Sequence, residues 1–205
     1  DRFERAVGAA RDRLSGASVD VLKGMGAFRV WLGSESGSQA VLDAMERGVK
    51  LSEVETAAAL LKAAGIAVGM FLMWGYDGET TADIEATVDL VRRTDPDVFL
   101  TTVAYPIKGT PYFDAVADRV VAPADWAAAS DRDHQVSGRP GPRYYRFATR
   151  RLRNAVALHR LRRDRPLAVL PIARAWCGAE LSRLGMRLNA RPIDLLAARP
   201  PAPPP

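Results

Sequence analysis

The stretch Phe28-Arg29-Val30-Trp31-Leu32-Gly33-Ser34-Glu35-Ser36-Gly37-Ser38-Gln39 opens as an apolar run and ends as a loop of small residues around one carboxylate. Two further runs follow it, Ile66 to Trp74 and Val98 to Ala104, short and rich in aromatic or β-branched residues. All three read as buried strands. Between the first two, Val54, Ala57, Ala58 and Leu61 fall at i, i+3, i+4 and i+7 and predict a helix; Ser52 with Glu55 forms a capping box at its start, and Gly65 closes it. Between the last two, Ile84, Val88 and Val91 repeat the helical spacing. Thr80 with Asp83 starts that helix and Asp95-Pro96-Asp97 stops it. Consecutive strand-helix-strand units of this length predict an α/β fold, a parallel sheet covered by helices.

Upstream, Val19, Leu22 and Met25 predict a helix that leads through Gly26 into the first strand, and Phe3-Glu4 reads as the remnant of an earlier one. The chain begins at Asp1 without a secretory segment, which is read as a fragment cut within a barrel. Downstream, Arg132 to Arg143 contains Gly138, Pro140, Gly141 and Pro142, a linker composition, and an Arg-rich helical stretch follows from Tyr144 to Arg163. The expected organisation is a partial (β/α) barrel over 1–122, a linker over 123–143, a mainly helical Arg-rich extension over 144–198 and a Pro-rich disordered tail over 199–205.

The chain has 205 residues, 48% hydrophobic and 26% charged, enough to bury a core without disulfides. Its longest uncharged stretch, the 14 residues from Ala63 to Tyr76, is too short for a transmembrane helix. One cysteine, Cys177, and two histidines, His134 and His159, leave no zinc or iron–sulfur ligand set, so no metal ligand is expected from this chain. Charge divides unevenly: residues 1–113 carry 12 Lys/Arg against 16 Asp/Glu, net −4, and residues 114–205 carry 17 against 8, net +9. The basic half reads as a solvated face or a contact with something anionic.

Ligands of parallel α/β folds sit beyond the carboxyl ends of the strands. The loop after the first strand places Glu35 among small residues, where its carboxylate can accept from a ribose diol or pair with an ammonium while Gly33 and Gly37 allow close approach. An acidic helix cap is the competing reading. After the second strand comes Gly75-Tyr76-Asp77-Gly78-Glu79-Thr80, and after the third Ala104-Tyr105-Pro106-Ile107-Lys108-Gly109-Thr110-Pro111; either is equally readable as an ordinary turn.

Taken in order, Phe28 to Gln39 with Val41-Leu-Asp-Ala-Met45, then Gly69-Met-Phe-Leu-Met-Trp-Gly-Tyr-Asp-Gly-Glu-Thr80, then Tyr105-Pro-Ile-Lys-Gly-Thr-Pro-Tyr112 resemble the second half of the radical S-adenosylmethionine (SAM) barrel, most closely in enzymes that also carry a cobalamin-binding domain. The resemblance covers about residues 3–120, and Tyr144-Tyr145-Arg146-Phe147 is similar to the C-terminal extension of such enzymes. It implies a partial (β/α)6 barrel that holds SAM and a 4Fe-4S cluster and cleaves the sulfonium reductively to a deoxyadenosyl radical. Cobalamin is implied by the likeness to its carriers, in a domain outside this chain. By the same resemblance Glu35 and Ser36 contact the ribose and amino-acid parts of SAM, Arg47 pairs with its carboxylate, and Phe71 and Tyr105 line the adenine. An unbroken helix from Ser38 would carry Arg47 roughly 13 Å from the mouth, so Arg47 must reach back or the helix must bend. Two departures stand out: Asp77 occupies a position where the family commonly has proline, and the three-cysteine cluster motif does not occur. The implied function is the C-terminal portion of a radical SAM enzyme for methyl transfer or ring formation, inactive alone because the cluster cysteines are absent.

Other residues support blander readings. Cys177 reads as a packed thiol and His159 as a surface helix residue. The arginines from Arg150 to Arg165 could bind RNA phosphates or an anionic membrane, or could be the wet side of an amphipathic helix whose packing stripe is Ala148, Leu152, Ala155 and Val156. A non-catalytic basic module for RNA or an acidic partner is the alternative function. A barrel hydrolase using Glu35 and Glu79 as an acid–base pair would need both carboxyls in one pocket. The expected partners are a small-molecule or lipid-like substrate and the N-terminal half of the barrel rather than nucleic acid, with no transmembrane segment and a cytoplasmic location.

Overall fold

The computed structural model describes residues 14–121, 130 and 133–195. The strand expected at Phe3-Glu4, the tail over 199–205 and most of 123–132 lie outside the described residues. Helix α1, Gly16–Gly24, starts where Ser15 Oγ accepts from Ser18 N at 3.2 Å, and it buries Val19. Gly26, at φ +76°, turns the chain into β1, Arg29–Glu35. Then follow α2 (Gln39–Ala44), α3 (Leu51–Ala63), β2 (Ala67–Trp74), α4 (Thr81–Thr94) and β3 (Val98–Val103). The strands form one parallel sheet in the order β1-β2-β3, with Val30 beside Val68 and Met70 beside Phe99.

Successive strand side chains point to opposite faces. Val30, Leu32, Val68, Met70, Leu72 and Trp74 share one face with Leu61, Ile84, Val88 and Val91 of α3 and α4, all nearly inaccessible to solvent. The other face differs from the expectation of fully buried strands: Phe71 is 43% and Leu100 50% exposed, because no layer among the described residues lies over it. Among the described residues, helices cover one side of the sheet only.

The α4 boundaries agree with the sequence reading. Thr80 Oγ accepts from Asp83 N, Asp83 accepts from Thr80 N at 2.8 Å, and Asp95 ends the helix in the left-handed region. The start of α3 does not. Its cap is Lys50, whose N–H donates to Glu53 at 3.0 Å, and Leu51 N donates to Gln39 Oε1 at 3.1 Å, so the helix begins before Ser52. Glu55, expected in the capping box, pairs with Arg93 at 2.7 Å instead.

Beyond the sheet lie α5 (Pro111–Val116), a 3-10 turn (Ala117–Arg119) and β4 (Val120–Val121), which pairs antiparallel with β5 (Gln135–Val136). Next come β6 (Arg139–Pro140), α6 (Pro142–Asp164), α7 (Val169–Leu188) and β7 (Pro192–Ile193), which pairs with β6. The Gly/Pro-rich stretch before Tyr144 thus holds two short strands, and Pro142 opens α6 in the first turn, where its missing N–H costs nothing. The amphipathic reading of α6 holds: Ala148, Leu152, Ala155 and Val156, with Tyr144 and Tyr145, are buried in the same core as the sheet. Its polar side is tied to α4 by Arg151 to Glu85 at 3.0 Å and by Arg160 to Asp95 at 2.7 Å, with Arg163 also on Asp95. Close approach of α7 to α6 needs Gly178 and Gly185, since a Cβ on Gly185 would stand 2.5 Å from the Phe147 ring. Cys177 is exposed rather than packed, because it falls opposite the α6-facing Ala175, Ala179 and Ser182. Among the described residues no helix is long and apolar enough to cross a membrane.

Because Leu152 is fully buried among sheet-side residues, Leu152→Ala should lower the unfolding free energy by about 2–5 kcal/mol in a single transition seen by both far-UV circular dichroism and tryptophan fluorescence. Two separated transitions would show that α6 is not part of that core.

Candidate functional site at the carboxyl edge of the sheet

With three parallel strands, the loops that follow them gather at one edge. Cross-links hold them there. Tyr76 Oη donates to Ala44 O at 3.1 Å, joining the second loop to the end of α2, and the Tyr76 ring stacks on Tyr112 at 4.7 Å, joining it to the third. Arg139 Nη1 donates to Gly75 O at 3.1 Å and Ala104 O at 2.6 Å, clamping the ends of β2 and β3. Asp77, the departure from the family turn, pairs with Arg119 at 2.9 Å.

The first loop carries the distinctive geometry. Pairing between β1 and β2 slips between Gly33 and Glu35, and Glu35 takes a left-handed φ of +47°. That conformation is uncommon for a residue with a Cβ. The carboxylate is not a helix cap: α2 begins at Gln39, and no side-chain cap bond forms there. Instead Glu35 Oε1 meets Arg47 Nη2 at 3.3 Å. Arg47 gets there because α2 is only six residues long and Glu46, at φ +53°, reverses the chain. Gln39 fixes that return, donating to Val49 O at 3.1 Å while accepting from Leu51 N. Arg47 Nη2 lies 2.9 Å from where a Cβ on Gly33 would be, on the face to which Trp31 also points. Burial pushes the Glu35 carboxyl up, and the Arg47 charge pulls it back.

Beside this pair lies an aromatic shelf. Trp31 lies flat over Gly69, where a Cβ would meet its ring at 2.5 Å, and stacks on Phe71 at 4.6 Å and 22°. Phe71 and Leu100 are register neighbours, so the shelf continues across the open face. The arrangement offers a carboxylate and a guanidinium next to exposed apolar surface, suited to a ligand with a polar, charged end and a flat apolar part.

Of the sequence candidates, the structure brings Glu35 and Arg47 together and leaves Phe71 on the same open face. Ser36 is elsewhere: it is fully buried, its Oγ accepts from Ser38 N at 3.1 Å and lies 3.3 Å from Thr87 Oγ1, and Gly37 N donates to the same threonine at 2.7 Å. It fastens the loop to α4. Tyr105 lines a cavity of about 620 Å³ with Trp74, Val103, Tyr145 and Arg146, whose walls include none of Glu35, Arg47 or Phe71. The paired-carboxylate hydrolase arrangement is not formed. Glu79 turns into its own loop, accepting from Gly75 N at 2.5 Å, and lines a groove with Tyr144 and Tyr145 that excludes Glu35. Nor does Glu79 cap the helix, since Thr80 does. Sequence reading missed Trp31 and Arg139; the Trp31–Gly33 alternation was a signal for the first, but only tertiary contact reveals the second.

Residues 9–91 match the radical SAM superfamily. This stretch is part of a radical SAM domain. A tRNA-2-methylthio-N(6)-dimethylallyladenosine synthase from Alteromonas mediterranea is 36% identical over 86 residues, 41% of this chain and 18% of that protein. An uncharacterised methyltransferase from Pyrococcus horikoshii is 29% identical over 122 residues, 57% of this chain and 26% of its own length. The chain therefore spans about a fifth to a quarter of these relatives. In fold it is similar to the radical SAM methyltransferase TsrM from Kitasatospora setae, solved with cobalamin and a [4Fe-4S] cluster bound, with a TM-score of 0.50 and 21% identity, covering 55% of this chain and 22% of that one.

The open face of this radical SAM segment carries a donor and acceptor set that suits SAM: the Arg47 guanidinium laid over Gly33 and a partly buried carboxylate stand beside an exposed aromatic ring. The cluster does not fit. Cys177 is the one cysteine of the sequence, it is exposed on α7, and no group of three metal-ligating side chains occurs among the described residues.

Burial, opposed by the Gly75 N–H and aided by the Asp83 charge, lifts the Glu79 carboxyl to about 7. A carboxyl that holds its proton more tightly folded than unfolded costs stability as pH rises from about 4.5 to about 7, and the cost is constant above that. Glu79→Gln should therefore melt higher than the parent at pH 8, with the difference vanishing near pH ~4. A pH-independent difference in melting temperature would show that Glu79 does not titrate in this window.

Proposed function

We propose that this chain supplies one side of the SAM pocket of a radical SAM enzyme, with the cluster thiolates contributed from outside it. The observation that carries the reading is the return of Arg47 over Gly33 onto Glu35, beside the Trp31–Phe71 shelf. When bound, SAM supplies a radical source through reductive cleavage of its sulfonium. Glu35 accepts from the ribose hydroxyls, and the Arg47 charge offsets part of the upward push that burial gives its carboxyl. Arg47, its side chain 43% exposed, has guanidinium donors left for the SAM carboxylate. Phe71 offers its exposed ring to the adenine. Ser36 acts from behind, holding the loop against Thr87.

The reaction served is methyl transfer or ring formation at an unreactive carbon; cobalamin dependence is supported by the likeness in fold to a cobalamin-bound methyltransferase. The RNA-binding reading has less behind it, since Arg151, Arg160 and Arg163 of the basic helix are engaged with Glu85 and Asp95.

Isothermal titration of SAM into the 205-residue chain and into Glu35→Ala tests the assignment. Loss of charged hydrogen bonds should weaken binding by about 10- to 100-fold. The absence of binding by the parent chain, or equal affinity in the two, overturns it.

A further inference from the structure

We infer that the α6–α7 hairpin is a docking surface for an anionic lipid bilayer, on which it lies without crossing. Helix α7 is apolar on two opposite sides. One side packs on α6 through Ala175, Ala179, Ser182 and Met186. On the other, Leu170, Ala173, Cys177, Leu181, Leu184 and Leu188 recur at intervals of three or four residues and so form one row along the helix. That row faces water: Leu170 is 82%, Leu181 66% and Leu188 73% exposed. The turn into α7 extends it, with Leu167 92% and Val169 71% exposed. A contiguous apolar surface of this extent marks an interaction site.

Charge selects the partner. On the helical wheel Arg174 borders the row on one side, and Glu180 followed by Arg187 on the other, while Arg162 and Arg165 flank the turn. None of these four forms an ion pair among the described residues. The one carboxylate of α7, Glu180, lies 3.6 Å from Arg151 and 3.9 Å from Arg183, so it does not neutralise the rim. An apolar row between uncompensated cations is complementary to acyl chains below phosphate headgroups. A nucleic acid would use the cations and leave the leucines wet. Trp176, 52% exposed at the margin of the row, suits the headgroup level. Because no described helix is long and apolar enough to cross a membrane, the hairpin rests in the interface.

Co-sedimentation of the 205-residue chain with vesicles tests this, using pure phosphatidylcholine and an equal mixture of phosphatidylcholine and phosphatidylglycerol. The expected result is binding to the mixed vesicles with a blue shift of tryptophan emission that Trp176→Phe removes. Arg174→Gln with Arg187→Gln should weaken that binding about thirtyfold. Leu181→Glu with Leu184→Glu should abolish it while leaving the circular dichroism spectrum unchanged, since both positions are exposed. Equal binding to both vesicle types, or retained binding by the leucine variant, overturns the inference. So does a dimer that the leucine variant dissociates when the parent ignores vesicles, which assigns the row to a second copy of the chain.

Discussion

A sheet covered by helices on one face must still account for the other, and in this protein that asymmetry organises everything else. The residues that alternate inward, from Val30 to Trp74, meet α3, α4 and α6 in one core. Those that alternate outward, Trp31, Gly33, Phe71 and Leu100, are thereby committed to an open floor. Glycine at 33 and 69 lets large side chains lie across the strands instead of standing on them. The charged pair sits beside this floor because β1 delivers Glu35 and the reversal at Glu46 brings Arg47 back over Gly33.

The second organising element is the exchange of charge between the two halves of the chain. The acidic first part and the basic second part meet where α6 crosses α4, and Glu85 and Asp95 take up Arg151, Arg160 and Arg163. The pairing of Arg151 with Glu85 is two-pronged and mostly shielded from water, the circumstance in which such a contact matters most. The excess of positive charge on the long helix is thus partly a property of the fold.

Much of this was legible in the residues before any coordinates. The positions of the strands, the Thr80–Asp83 cap and the stop at Asp95 are local signals, and local signals survive folding. The parallel sheet followed from spacing, and Glu35 from its company of small residues. What was not legible depends on distant partners. Ser36 looked like a ligand contact because its neighbour did, yet one residue further along a kinked strand end points the side chain inward to Thr87. The α3 cap shifted because Gln39, twelve residues away, claims the Leu51 amide. Cys177 belongs to a helix that is apolar on two sides, and composition alone does not say which side is covered.

The clamp formed by Arg139 has a temporal meaning. The carbonyls it grips, at Gly75 and Ala104, leave the ribosome well ahead of the guanidinium that joins them. Until translation has passed residue 139, the ends of β2 and β3 lack that shared donor. The rim of the floor is therefore finished late, by a segment that contributes no strand to the central sheet.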